Sequence, residues 1–489
     1  MNSNILTAIT QHARLSDDRI ALSDQTVALT YGALETVIEG AARGLSIWTP
    51  LVRAGAPVAV RLPNSLAWVV VDLALIRLGW TSLPLPSFFT DAQRDHAMRD
   101  AGAALLIELE LEAEGDLSVA GTALRVTPLH LPARALPAGT AKITYTSGST
   151  GQPKGVCLSL SHMEAVGAAL VQAIGSDYAG LHLPLLPLSI LLENVAGLYT
   201  TLLAGGRYHV LPPEQLGLSD PFRPDLPRLA AAIDEQHATS LILVPELLRA
   251  LMMVMTFTGV RLPDLRLVAV GGAKVAPALL TRADELGLPV YEGYGLSECA
   301  SVVALNTPAA RRAGAVGRPL PHLKVRIQNG EIVVEGAGYL GYAGECAREG
   351  PVFTGDIGAL DADGFLSISG RRTNTIITAH GRNVAPEWVE SELTAQPEIR
   401  QAVVLGEAQA SLSALIVPLI PGMDRSAIAT AVARANANLP AYAQVGRWLV
   451  RDGFDVAAGE LTNNGRPRRA VLSARHRDFL EPSTTGDLA

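Results

Sequence analysis

The sequence is poor in cysteine, in charge and in basic character. Three cysteines, Cys157, Cys299 and Cys346, occur in 489 residues. They are odd in number, widely spaced and form no C-x-x-C, which argues against a disulfide framework or a cysteine-built zinc site and fits a reducing, cytoplasmic setting. Charged residues make up only 18% and the net charge is −8, so a nucleic-acid polymer is not an expected partner. An anionic small ligand is still compatible, because a pocket can be positive on an acidic protein. The N-terminus has no basic patch leading into a sustained apolar run, and no signal peptide is expected. The most apolar stretch, S-L-A-W-V-V-V-D-L-A-L-I-R-L-G-W (65–80), carries Asp72 and Arg77. It reads as a buried or amphipathic helix rather than a membrane span. The ten histidines include no H-E-x-x-H and no paired metal spacing. His380, beside Gly381, reads as a surface-loop residue.

Apolar residues are abundant, at 48%. A single core rarely grows past roughly 250–300 residues, so at least two domains are expected. Strand-like runs such as A-P-V-A-V-R-L (56–62), T-S-L-I-L-V-P (239–245) and L-R-L-V-A-V-G-G-A (265–273) alternate with helical spacing, as in Asp225 to His237. That alternation argues for an α/β architecture. Further on, K-V-R-I and E-I-V-V-E flank Asn329-Gly330, a hairpin signal. The polar S-G-R-R-T-N-T (369–375) follows, then I-I-T and the helix-like P-E-W-V-E-S-E-L (386–393) with Pro386 in its first turn. These features place a large domain over 1–370, a hinge over 371–375 and a smaller α+β domain over 376–489.

The most chemically loaded stretch is Y-T-S-G-S-T-G-Q-P-K-G-V (145–156). A-K-I-T-Y-T (141–146) before it and V-C-L-S-L (156–160) after it read as strands, and Ser161-x-x-Glu164 reads as a capping box opening a helix to about Ile174. A Walker loop would need G-K-[ST] leading directly into a helix, and neither is present. A different phosphate cradle fits the composition. Glycines let backbone N–H groups approach an anion, hydroxyls donate further bonds, and Lys154 adds one mobile charge. An ordinary flexible Ser/Gly loop fits the composition equally well. G-G-A-K (271–274) ends a strand, where an open α/β sheet binds ligands, or makes a simple turn. In Y-E-G-Y-G-L-S-E (291–298), Tyr294 can stack on a flat base and Glu298 can hold a magnesium ion. D-A-D-G (361–364) reads as a hairpin turn rather than a calcium loop. G-A-G-Y-L-G (336–341) is no dinucleotide site, because no helix can follow it.

S-G-S-T-G-x-P-K-G resembles the signature loop of the adenylate-forming superfamily, which comprises acyl-CoA synthetases, luciferases and the adenylation domains of peptide synthetases. The resemblance runs through nearly the whole chain. It implies a large N-terminal domain of stacked α/β sheets with a β-rich subdomain, and a small mobile C-terminal domain. It implies that Thr146, Ser147, Gly148, Ser149, Thr150, Gly151 and Lys154 wrap the ATP phosphates. Gly271, Gly272 and Ala273 would lie beside the adenine, with Tyr294 and Gly295 in the same nucleotide site. Ser297 would contact phosphate and Glu298 would hold Mg²⁺. Asp356 would bind the ribose hydroxyls, and Arg371 would contact the nucleotide. Ser189, Ile190, Glu193 and Gly293 would line an acyl pocket, and Gly381 a thiol channel.

Three departures stand out. Arg466 occupies the family's lysine position in L-T-N-N-G-R-P-R-R, followed by Pro467. The charge is kept but a planar fork replaces a compact ammonium. Ile190 replaces a histidine or aromatic gate, and Thr373 stands where Lys or Asp is usual at the hinge. The expected activity is ATP- and Mg²⁺-dependent activation of a fatty or other apolar carboxylic acid as acyl-AMP, catalysed by Arg466, Lys154 and Glu298. Transfer to a pantetheine thiol, of CoA or of a carrier protein's phosphopantetheine, would follow. A carrier-protein ligase, a β-lactone-forming enzyme and a degenerate nucleotide-binding protein stay open as alternatives.

Overall fold

The apolar stretch at 65–80 folds as the helix Leu66–Leu78 in the computed structural model, which describes residues 3–52, 55–111, 115–146, 153–175, 179–219, 224–336, 338–462 and 465–480. Ser65 accepts the amide of Trp68 at its start, and Gly79, at φ 68°, ends it in the left-handed conformation that glycine tolerates. Every residue from Leu66 to Leu75 is buried, Asp72 included. Among the described residues, no helix is long and apolar enough to cross a membrane. Buried Asp72 is matched by Lys142 Nζ at 2.8 Å, by the Tyr199 hydroxyl at 2.7 Å and by Asn194 Nδ2 at 3.2 Å.

Two large sheets make the N-terminal domain. In the eight-stranded sheet, Val58–Arg61 and Ser82–Pro84 run parallel, and Lys142–Thr146 pairs antiparallel with Lys154–Leu158. In the nine-stranded sheet, Ser240–Leu243, Leu267–Val270 and Val290–Leu296 are parallel neighbours, and Ser301–Leu305 folds back antiparallel on the last of them. One continuous core joins Val58 and Val60, through Val69 to Leu75, to Tyr208 and Ile242, so the two sheets share a helical layer. A four-stranded antiparallel sheet forms the β-rich part, from Lys324–Gln328 to Leu366–Arg371. Its first hairpin turns at Asn329 and Gly330, both at positive φ, as the Asn-Gly signal requires. Past Arg371, Ile399–Leu405, Leu412–Pro418 and Val445–Val450 form a three-stranded sheet with its own core, packed by the helices Pro386–Thr394 and Arg425–Ala437. This is the expected α/β architecture, with a large N-terminal domain, a β-rich subdomain and a small α+β C-terminal domain.

One local expectation is corrected. The helix after the signature loop is Leu160–Ile174, and its cap is Ser159, whose hydroxyl accepts the amide of His162, not Ser161. Glu164 is no capping-box partner. It is buried and accepts from Ser3 Oγ at 2.6 Å and from the amide of Ile5, tying down the first helix. A residue three positions into a helix serves the cap only if nothing better competes for it.

Candidate active site

The signature loop spans the tip of an antiparallel hairpin, with Thr146 paired to Lys154. Ser147, Gly148, Ser149, Thr150 and Gly151 lie outside the described residues. Lys154 opens the second strand of the hairpin. Its Nζ stands 4.8 Å over the Tyr342 ring and 3.8 Å from Glu345 Oε1. The Tyr342 hydroxyl in turn donates to Glu298 Oε1 at 3.2 Å. Tyr342 arrives there because Gly341–Tyr342 adds a short strand against Val156 and Cys157. The stretch from Tyr339 to Tyr342 therefore has a use that motif reading missed: it links the loop lysine to the carboxylate expected to hold a metal.

Glu298 sits in a single 3-10 turn, Ser297–Cys299, just after the strand Val290–Leu296. Its backbone is pinned by the Tyr339 amide, which donates to the Glu298 carbonyl at 2.8 Å. Midway along this strand lies a glycine floor. Gly271 and Gly293 abut across neighbouring parallel strands, and a Cβ on Gly271 would come within 3.3 Å of the Gly293 carbonyl. Gly272 takes φ 86°, a glycine conformation, and is exposed together with Ala273. Gly295 cannot carry a side chain, since a Cβ there would strike the Ser301 carbonyl.

Tyr294 points its hydroxyl at Asp356 Oδ2, 2.6 Å away. Arg371 Nε holds Asp356 Oδ1 at 3.0 Å. Asp356 is only 5% exposed, and both its oxygens are engaged. A carboxylate carries about four lone-pair sites, so acceptor capacity for a diol remains. Burial, with Asp356 next to it, pushes the Tyr294 hydroxyl well above the ordinary tyrosine range, so it stays a donor.

Arg466 comes from the C-terminal domain. Thr462 shapes its turn: the Thr462 amide donates to the Arg466 carbonyl at 2.8 Å, and the Arg466 amide donates to Thr462 Oγ1 at 3.0 Å. Pro467 bridges back to Leu461 across the turn. Arg466 is exposed, yet protein displaces part of the water around its guanidinium. Crowding pushes its pKa down, Arg371 adds to this, and Asp356, Glu298 and Glu387 oppose it. Those partners place the arginine within electrostatic reach of both site carboxylates.

Two ionisable groups close to the floor glycines in sequence, Lys274 in G-G-A-K and Glu292 in Y-E-G-Y-G-L-S-E, have no role in the sequence reading. Glu292 is buried, and burial raises its carboxyl to about 7 against the pull of the Val275 amide and Lys274. Lys274 Nζ donates to the Ile368 carbonyl at 3.0 Å and lies 6.0 Å from the Trp388 ring centre. Neither residue belongs to a recognisable spacing; the only signal was a charged residue flanking strand-end glycines.

The acyl-pocket expectation needs a correction. Ser189 is buried and Ile190 half-buried, just ahead of the unusually wide π-helix Leu192–Tyr199. Glu193, however, has no exposed surface. Its Oε1 lies 2.9 Å from His182 Nε2 and accepts from the Tyr208 hydroxyl at 2.9 Å. The carboxylate turns into the sheet rather than towards Ile190, because a buried charge goes to its hydrogen-bond partners. Gly381 sits in an exposed turn between Ile376–Ile377 and Asn383–Val384, at φ 70°.

A magnesium ion fits this donor set. Mg²⁺ is a hard cation that takes one or two carboxylates and relies on phosphates and water for the rest. Glu298, with Ser297 next to it, offers that; no cluster of three or more His, Cys, Asp or Glu capable of caging an ion occurs among the described residues.

The model of the AMP-binding enzyme family matches residues 9–350, and that of the AMP-binding enzyme C-terminal domain matches residues 373–480. The chain belongs to the AMP-binding enzymes. It is 30% identical over 427 residues to a feruloyl-CoA synthase of an Amycolatopsis species, covering 81% of this chain and 84% of the relative. A long-chain-fatty-acid–CoA ligase of Mycobacterium bovis is 29% identical over 441 residues, covering 75% and 73%. Among solved structures, the anthranilate CoA ligase AuaEII in complex with anthranoyl-AMP superposes with a TM-score of 0.79 at 17% identity, covering 96% and 97%. O-succinylbenzoate coenzyme A synthetase of Bacillus subtilis, in complex with ATP and magnesium, gives 0.74 at 24% identity, covering 96% and 99%. These two likenesses concern the fold.

Proposed function

We propose that this AMP-binding enzyme is an ATP-dependent acid–CoA ligase acting on an apolar carboxylic acid. The observation that carries the reading is two sets of contacts, Lys154–Tyr342–Glu298 and Arg371–Asp356–Tyr294, with Arg466 of the C-terminal domain under the electrostatic influence of Glu298, Asp356 and Arg371. Three cations and two carboxylates there match the needs of a magnesium-bound triphosphate.

ATP binds with its triphosphate along the hairpin tip and Lys154, and its ribose at Asp356. Tyr294 and Arg371 hold the Asp356 carboxylate in a fixed orientation. Glu298, steadied by Tyr342, would hold Mg²⁺, which supplies neutralisation of phosphate charge. The acid's carboxylate attacks the α-phosphorus, a bond forms from carboxyl oxygen to phosphorus, and pyrophosphate leaves. Arg466 faces the charge that develops. Such chemistry rests on positioning and charge stabilisation rather than covalent help from the protein. A thiolate then attacks the acyl carbon and AMP departs, after the C-terminal domain turns about residues 371–375 to bring Gly381 to the thiol path.

An apolar acid is favoured by the company of Ile190. Leu188 and Leu191, close to it in the chain, are buried in an apolar core that also includes Leu305 beside Gly293, and the Glu193 carboxylate is committed to His182 and Tyr208. CoA is favoured as acceptor because the relatives named above are CoA ligases. ATP–pyrophosphate exchange over a panel of fatty, arylpropenoic, amino and dicarboxylic acids tests the reading. Exchange is expected with apolar monocarboxylates; ATP binding without exchange for any acid would refute it.

A further inference from the structure

The helix Pro386–Thr394 of the C-terminal domain meets the N-terminal domain near both of its ends. Near its start, Trp388 lies under Lys274 Nζ. At its end stands Arg249, from the N-terminal helix Pro245–Thr258. Its Nη1 donates to the Thr394 carbonyl and, at 3.1 Å, to the Ile399 carbonyl; its Nη2 donates to the Arg400 carbonyl at 2.8 Å. Thr394 is the last helical residue, where carbonyls lack intrahelical partners and the helix dipole is negative. Ala395, the next residue, packs into the N-terminal cluster that contains Leu247 and Leu248. One guanidinium therefore caps the end of a helix that belongs to the other domain and also holds the first two residues of the strand that follows it, through three charge-assisted bonds in all and an adjoining apolar contact. The segment 371–375 is itself tied down through Arg371 to Asp356, Arg372 to Glu331 and Asn374 to Glu387, whereas Thr373 makes a 3.5 Å contact to its neighbour Asn374.

We propose that Arg249 is a positioning residue, a latch that holds the C-terminal domain in the orientation that presents Arg466 to the nucleotide, and that must let go before thiol transfer. The inference rests on the two-step reading given above. The three carbonyls can be reached by Arg249 only in this orientation; after rotation they turn to water, and the arginine is left with Glu246 as its neighbouring carboxylate. The latch thus biases the domain equilibrium towards adenylation without touching substrate, and a bias of this kind changes the fraction of competent molecules rather than the chemistry.

The test uses the full chain with Arg249→Met, which keeps the apolar stem, and Arg249→Lys, which keeps one point charge. Pyrophosphate exchange is expected to fall about tenfold in Arg249→Met and to recover in part in Arg249→Lys. Consumption of supplied acyl-adenylate by CoA is expected to hold or rise. A parallel fall in both half-reactions, or no fall in exchange, overturns the proposal. An independent readout needs no activity. One dye on exposed Cys346 and one on Ala429→Cys report the distance between domains by energy transfer. Arg249→Met is expected to shift or broaden that distance in the ligand-free protein, and an unchanged distribution overturns the latch. If the unsubstituted enzyme gives no exchange with any acid, the ligase reading fails and the energy-transfer result alone decides the latch. Should Arg249→Met fail to fold, Arg249→Lys is read by the same two measurements and under the same criteria.

Discussion

Glu292 offers a prediction whose size can be worked out. Its carboxyl is buried on the strand Val290–Leu296 and is raised from the ordinary 4.5 to about 7, mainly by loss of water. In the unfolded chain the same group ionises near 4.5. Between those two values the folded protein keeps a proton that the unfolded chain has lost. Stability therefore falls as pH rises across that interval, by about 1.4 kcal/mol per unit, and is level above the folded value. From about pH 5.5 to about pH 7 the interval is about 1.5 units, which gives ~2 kcal/mol. Glu292→Gln keeps the shape and removes the titration. Urea unfolding of both proteins at about pH 5.5 and about pH 8 should show the Gln variant gaining ~2 kcal/mol relative to the parent at the higher pH. Parallel stability curves would refute the assignment of a shifted, buried carboxyl to this position.

Other expectations follow from named contacts. Lys142→Met leaves Asp72 buried with only Tyr199, Asn194 and Ser82 to bond it, and should destabilise the protein by roughly 3–5 kcal/mol in urea unfolding. Tyr342→Phe removes the bond to Glu298 and should raise the magnesium concentration needed for half-maximal pyrophosphate exchange by about two- to tenfold, the worth of one hydrogen bond. An unchanged magnesium curve would reduce that contact to packing. Arg466→Ala should lower exchange by about a hundredfold with ATP binding largely kept. Arg466→Lys should change it by more than about twofold in either direction, because a fork and a point charge cannot serve one geometry equally. A change smaller than that would remove Arg466 from the chemistry.

The frame of the fold was legible where periodicity and turn chemistry agree. The strands around 58–61, 240–243 and 267–270, the Asn329-Gly330 hairpin and the helix starting at Pro386 all lie where their patterns place them. Local signals failed where a distant partner outbid a local one. Glu164 left the helix cap for Ser3, and Glu193 left the acyl side for His182 and Tyr208, since sequence spacing carries no information about contacts made more than a hundred residues away or across a sheet. Tyr342, Glu292, Lys274 and Arg249 were invisible for the same reason. Each acquires its meaning from strand pairing or domain docking; Glu292 and Lys274 lie inside the Y-E-G-Y-G-L-S-E and G-G-A-K stretches, but nothing in those stretches gives them a role. The π-helix Leu192–Tyr199 also had no sequence signal; its Glu193 and Asn194 turn into two separate buried polar networks, around His182 and around Asp72.

The account stands on where the triphosphate lies. A crystal structure of the full chain with magnesium and a nonhydrolysable ATP analogue tests this most directly. It should show phosphate oxygens within hydrogen-bond distance of Lys154, the metal on Glu298, the ribose on Asp356 and the Arg466 guanidinium facing the α-phosphate. A nucleotide bound away from Lys154, or with Arg466 turned out of the cleft, would contradict it.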